Sequence, residues 1–327
     1  MTVDFFTTRR RLAQALGLTE VGAASCRPQA QPAFPARQLR IIVPFPPGGA
    51  SDAMVRILAT RLQTTWGQPV VVENRPGAGT VIGSNTVAKA PADGYTMGLV
   101  TSSHAINAAA QRDLPYDTLK DFAAVSQVAL VHQAIFVRAD SPLLSVQQLV
   151  EASKTRRITF ATAGVGTAGH LFGELLNAMT DAGLVHVPYK GSSPAQVDLL
   201  AGHVDVLIDA MAAQYPMVKA GRMKLIALVS PQRHPDYPAL PTAAETYPGA
   251  SVVSFFGVVV PAATPLAVVR QLNEGLVAAV HEPGVRRQVS ELGLQPLGTS
   301  PEAFDSLVRS EMQKWRALIE SRNLQID

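Results

Sequence analysis

Two glycine-rich stretches carry the residues whose types and order could do chemistry: IIVPFPPGGASD at residues 41–52 and ITFATAGVGTAGH at residues 158–170. Each sets a strand-like run against glycines and then opens an amphipathic segment. Glycines after a strand leave backbone N–H groups uncovered, and a helix start adds about half a positive charge, so such a turn favours an anion. Taken singly, Gly48 and Gly49 serve equally well as a tight turn. The same device at matching places in the two halves of the chain argues for one anionic ligand clamped from both sides.

The second stretch contains Gly164-Val165-Gly166-Thr167-Ala168-Gly169, the GxGxxG spacing of a dinucleotide-binding turn. That fingerprint requires Asp or Glu at the end of the next strand. Here LVHVPYKG ends in Tyr189-Lys190, a lysine that suits only the 2′-phosphate of NADP, which leaves an NADP-dependent oxidoreductase as the rival reading. Other signatures fail: GxSxG, HExxH and GxxxxGK[ST] do not occur, and Cys26 is the sole cysteine. His104, His170, His186 and His203 are scattered without metal-ligand spacing. Ser102, Ser103 and His104 follow the strand-like YTMGLVT, where they read as hydroxyl and imidazole donors at a strand's C-terminal edge. Asp209 ends HVDVLIDA in the same kind of place. It would repel an anion, so it either caps the next segment or meets a cationic or hydroxyl group.

The elements that must position these residues alternate. LRIIVPF, SDAMVRILATRLQTTWG, PVVVEN, GTVIGSNTVAKA and YTMGLVT predict strand and helix in turn, hence a parallel sheet covered by helices. In the first helix Met54, Ile57, Leu58, Leu62 and Trp66 share a face, Ser51 or Asp52 caps the start and Gly67 stops it. A second series begins after HQAIFVRADSP, with Leu171, Phe172, Leu175, Leu176 and Met179 as the stripe of one helix. SFFGVVVPAATP then leads to two helices, opening at Thr264-Pro265 and Ser300-Pro301, that pack back on the first sheet. The expected organisation is residues 1–36 as export signal and leader, 37–137 plus 256–327 as lobe one, and 138–255 as lobe two. Two crossings near residues 134–140 and 254–261 give a cleft that can hinge.

Composition agrees with an α/β protein. The 327 residues are 47% hydrophobic and 16% charged, long enough for two cores. Arg9, Arg10, Arg11 and Arg27 against Asp4 and Glu20 place +2 of the formal +3 in residues 1–36, so no basic face for nucleic acid is expected. A basic cluster, an apolar stretch and small residues at 1–26 have the layout of an export signal, and Thr8–Leu12 weakly resembles a twin-arginine signal. Cys26 is read as a discarded signal residue rather than a lipid anchor. No later apolar stretch reaches the ~18 residues that cross a bilayer.

VPFPPGGASD, VVENRPGAGTVIGSNTVAKAPADGYT, LPYDTLKDFAAVS, HVPYKGSSPAQVDLLAGHVDV and SFFGVVVPAATP closely resemble the Bug family, the extracytoplasmic solute receptors of tripartite tricarboxylate transporters. The resemblance runs in order over residues 38–325. It implies a two-lobed periplasmic binding protein (Venus flytrap, type II), each lobe a mostly parallel sheet flanked by helices, with neither catalysis nor cofactor. It also implies a small carboxylate ligand (di- or tricarboxylate, acidic amino acid or aromatic acid), a membrane permease or a sensor as partner, and a monomer. Carried over, the family's grip points to Phe45, Pro47, Gly48, Gly49, Ala50 and Asp52 on one side and Ala163, Gly166, Thr167 and His170 on the other. Ser102, Ser103 and Asp209 line the remaining wall. Relatives often carry a glycine in the TSxxHAIN loop, where this chain has Ser103.

Overall fold

The computed structural model describes residues 34–110 and 113–324; the export signal and Cys26 lie outside the described residues. Along the chain, β1 (Leu39–Val43), α1 (Ala50–Trp66), β2 (Val70–Asn74), α2 (Val81–Ala88), β3 (Thr96–Thr101), α3 (Ser102–Ala109) and β4 (Phe122–Val131) come first. Then follow β5 (Gln133–Arg138), α4 (Val146–Thr155), β6 (Ile158–Thr162), α5 (Ala168–Thr180), β7 (Leu184–Pro188), α6 (Ser192–Ala201), β8 (Val206–Ala210), α7 (Met211–Lys219), β9 (Met223–Leu228) and the single turn α8 (Ala243–Thr246). The last elements are β10 (Ser254–Pro261), α9 (Leu266–His281), α10 (Pro283–Glu291), β11 (Leu294–Pro296) and α11 (Pro301–Arg322).

The strands form two sheets, ordered β11-β4-β10-β3-β1-β2 and β7-β6-β8-β5-β9. In the first, β1 lies parallel to β2 and β3, with Ile41 opposite Val72 and Met97, while β10 runs antiparallel between β3 and β4. In the second, β6 is parallel to β7 and β8, and β5 is antiparallel to both β8 and β9. The chain changes sheet at His132, between β4 and β5, ahead of the 134–140 stretch read from the sequence. It returns between Leu228 and Ser254.

Patterning explains the elements. In β1 the run Ile41-Ile42-Val43 is buried on both faces, as a central parallel strand requires. Met54, Leu58 and Leu62 of α1 are buried against it, and Gly67, left-handed at φ 62°, donates its N–H to Gln63 to end the helix. Met179 departs from the expected α5 stripe: it is 41% exposed, near the helix end. The return segment holds three helices and a strand rather than two helices. The strand β11 is too short, and too interrupted by Pro296, to show a period of two. Pro265 is itself the N-cap of α9, whereas Ser300 caps α11 through the Ala303 N–H, with Pro301 in the first turn.

One element belongs to both cores. Phe304, Val308 and Met312 of α11 pack with Ile42, Val100 and Phe255 of the first sheet. One and two turns later Trp315 and Leu318 pack with Ile135, Phe160 and Leu176 of the second, alongside Ile106 and Ala109 of α3. Gly257 admits this helix: a side chain there would run into the Phe304 ring.

Candidate functional site: two glycine turns and a third wall

The turn after β1 is braced by a carboxylate. Asp52, in the first turn of α1, accepts hydrogen bonds from the Gly48 N–H (3.0 Å), Arg56 Nε (3.0 Å) and Asn74 Nδ2 (2.9 Å). Asn74 Nδ2 also donates to the Phe45 carbonyl, which ties the turn to the end of β2. The hydrogen bond from Arg56, with those from Gly48 and Asn74, holds the Asp52 carboxyl at about 2, although its burial opposes ionisation. The helix N-cap is Gly49, so neither Ser51 nor Asp52 takes the capping position expected of them. Asp52 is buried behind the turn, half-buried Phe45 lies beside it, and Pro47, Gly48, Gly49 and Ala50 are exposed. The first amides of α1, at Ala50 and Ser51, have no intrahelical acceptor and none elsewhere among the described residues. Gly48 sits at φ 94°, which suits glycine.

The turn after β6 is braced by neutral groups. Thr167 caps α5, its Oγ1 accepting the His170 N–H (3.4 Å) while donating to the Gly164 carbonyl (2.8 Å). The Gly166 N–H donates to His170 Nδ1 at 3.2 Å, so this amide is engaged within the turn. The Ala163 carbonyl accepts the Gly191 N–H (3.0 Å), which joins the turn to the loop after β7. His170 stacks on His186 at 4.0 Å with planes 16° apart, and His186 Nε2 lies 2.7 Å from Thr162 Oγ1. Burial pushes His170 down to about 4 and His186 to about 3, the latter also because of His170, so both rings are neutral at neutral pH. The amides of Thr167 and Ala168 remain without an acceptor among the described residues.

Ser102 and Ser103 follow the end of β3 and Asp209 lies at the end of β8, the strands directly beside β1 and β6 in their own sheets. The Ser102 hydroxyl accepts the Phe255 N–H (3.2 Å) and reaches the Val253 carbonyl (3.4 Å), clipping α3 to the returning chain. Ser103 is half-buried, and its N–H is capped by Thr101 Oγ1. His104 departs from the donor role expected of it: 2% exposed, it packs edge-on to Phe122 and beside Tyr116, and burial lowers it to about 4. Asp209 caps nothing, since α7 has no side-chain cap. Its Oδ2 accepts from Gln214 Nε2 (2.8 Å), and Gln214 accepts in turn from Gln196 (2.7 Å).

The sequence reading missed the side chains behind the turns. Arg56 is signalled by the i,i+4 Asp–Arg pair on α1, whereas Asn74 and His186 reach their places through strand register, for which the sequence carries no local signal. Among the described residues, no cluster of His, Cys, Asp and Glu could hold a metal ion. Gly169, the last glycine of the GxGxxG, lies against the Ile208 carbonyl where no Cβ fits, so close packing of α5 on β8 accounts for it.

Residues 54–324 match the family described as "Tripartite tricarboxylate transporter family receptor". The chain is 39% identical to the UPF0065 protein in the tcbD-tcbE intergenic region of Pseudomonas sp. (strain P51), over 95% of this chain and 94% of that one. It is 36% identical to protein BugT of Bordetella pertussis, over 94% and 96%. Among solved structures it is similar to Rpa4515 of R. palustris with adipate, at 35% identity and TM-score 0.76, covering 88% of this chain and 97% of that chain. MatC of Rhodopseudomonas palustris with bound malate gives 28% identity and TM-score 0.73, covering 88% and 100%. The two-sheet α/β architecture is thus that of a two-lobed periplasmic binding protein, a binding receptor and not an enzyme, and the chain belongs to the Bug-type receptor family of the tripartite tricarboxylate transporters.

Proposed function

We propose that this receptor closes over a small carboxylate held between the turns after β1 and β6, and hands it to membrane permease subunits. The observation that carries the reading is the pair of turns whose own side chains fix them while leaving first-turn amides of α1 and α5 unengaged. Pro47, Gly48, Gly49 and Ala50 would face the ligand from one lobe, and Ala163, Gly166 and Thr167 from the other. Asp52 and His170 act from behind by fixing the amides. Ser103 and Asp209 offer the third wall a hydroxyl and a carboxylate suited to a ligand hydroxyl or ammonium group. Phe45 closes the side of the first turn, and Ser102 shapes the wall through its clip to β10. The adipate and malate carried by two similar proteins support a small carboxylate as the ligand class, within which a di- or tricarboxylate, an acidic amino acid or an aromatic acid is the proposed range.

We further infer export to the periplasm through the N-terminal signal and action as a monomer. No helix among the described residues is long and apolar enough to cross a membrane. A thermal-shift panel of adipate, malate, citrate, glutamate, benzoate and NADP tests the reading. A ligand at 100 times its Kd stabilises by about 2.7 kcal/mol, a shift of several degrees. A shift with a carboxylate supports the receptor and names its class; a shift with NADP alone overturns it.

A further inference from the structure

The only residue between β4 of the first sheet and β5 of the second is His132, 2% exposed. Its ring and backbone touch three separate segments. Nε2 lies 2.8 Å from Gln295 Oε1 on β11, at the edge of the first sheet. Nδ1 lies 3.3 Å from Ser230 Oγ, on the chain returning from β9. The His132 carbonyl accepts the Met211 N–H (2.8 Å), which opens α7 two residues after Asp209. The ring packs against His234 at 4.3 Å. The returning chain is tied to the outgoing one directly, since Val229 N–H donates to the Gln133 carbonyl (2.9 Å). Both passages between the sheets therefore meet at one point, and His132 is the side chain that joins them to β11.

We propose that His132 is a positioning residue for lobe closure: its hydrogen bond to Gln295 fixes the angle at which the second lobe leaves the first. An amide oxygen only accepts, so Nε2 carries the proton and Nδ1 is left as an acceptor. The Ser230 hydroxyl also donates to the Gln232 carbonyl (2.8 Å), so its one proton is divided between two acceptors. The bond to Gln295 is the undivided one, and it anchors the junction residue to the edge of the first sheet. Space for movement lies beside it. A cavity of about 680 Å³, lined by Met211, His234, Leu294 and Gln295 together with residues of α7 and α10, opens next to the junction, between elements of the two sheets. A variant that removes the His132–Gln295 contact frees the junction residue from the edge of the first sheet.

The proposal rests on the two-lobed closing receptor but not on the identity of its ligand. The test is small-angle X-ray scattering of the ligand-free full chain, wild type against His132→Ala, His132→Gln and Gln295→Ala, with melting temperatures recorded in parallel. His132→Ala and Gln295→Ala are expected to move the radius of gyration away from wild type in the same direction, the double variant no further than either single one. His132→Gln, whose amide can still donate to Gln295, is expected to return it towards wild type. Unchanged radii with lowered melting temperatures would overturn the proposal and leave His132 a packing residue. So would a change in His132→Ala that neither Gln295→Ala reproduces nor His132→Gln restores. Adding adipate and malate to the wild type separates the two readings. If neither these nor citrate, glutamate or benzoate contracts the wild type while Gln295→Ala still differs from it, the carboxylate assignment fails and the hinge assignment stands.

Discussion

The turn after β1 is held by a carboxylate accepting three hydrogen bonds, one from a guanidinium, whereas the turn after β6 is held by a threonine hydroxyl and an uncharged imidazole. Both leave first-turn amides for a ligand, yet they answer acid differently. The first keeps its brace until the pH approaches about 2. The second loses an acceptor when His170 Nδ1 takes a proton near 4, because a protonated nitrogen cannot accept the Gly166 N–H. An ion pair of Asp52 with Arg56 stands behind one turn and neutral groups behind the other.

The largest expected effect comes from putting a charge where the ligand carboxylate would sit. Gly48→Asp or Gly166→Asp should weaken binding of whichever carboxylate stabilises the wild type by a hundredfold or more. Two like charges about 4 Å apart at an effective dielectric near 20 repel by about 4 kcal/mol. Gly48→Ala, which carries only the cost of the left-handed backbone, separates strain from charge in the same calorimetric titration. Unchanged affinity in both Asp variants would remove the turns as the site.

Asp52→Asn should cost about 1.5–3 kcal/mol, because hydrogen bonds to a charged group are lost and Arg56 keeps only the Asn74 side-chain oxygen as a partner. The folded carboxyl titrates below its unfolded value of 3.8, so its stabilisation is full above about pH 4 and lost as pH falls towards 2. The Asn variant should show a flatter acid-denaturation curve over that window. An equal slope would mean that the brace is not ionic.

The imidazole side has its own window. The folded values of His170 and His186 lie below the ordinary 6.5, so the unfolded chain binds more protons and stability falls as the pH drops from about 6.5 to 4. One such group contributes up to about 1.4 kcal/mol per pH unit. His186→Phe, which keeps a ring between Phe160 and His170, should reduce the slope of urea stability across that range while Asp52→Asn leaves it alone. The smallest effect, about 1 kcal/mol, is expected for Ser102→Ala, which strips one acceptor from the Phe255 N–H and should leave both turns as they are.

The alternating strands and helices, the two glycine turns and the α1 face from Met54 to Leu62 were legible because each is a local pattern: a short apolar run, a glycine cluster or a period of 3.6. Two parts were not. The brace of the first turn joins Asp52 to Asn74 through strand pairing, and a single sequence does not state that register. The assignment of Gly166 as a free donor overlooked that a histidine four residues on, at the third position of a helix, points back at the turn it follows. His104 looked like a donor because it follows a strand end. The helix α3 begins so abruptly there that its third residue already faces the core of Tyr116 and Phe122.

The helix α11 has a consequence for biosynthesis. Residues 301–322 supply Trp315 and Leu318 to the core of the second sheet and Phe304 to that of the first. The face that each sheet turns towards this helix is complete only when residues 304–318 have been made, so those two faces finish packing last, near the end of synthesis.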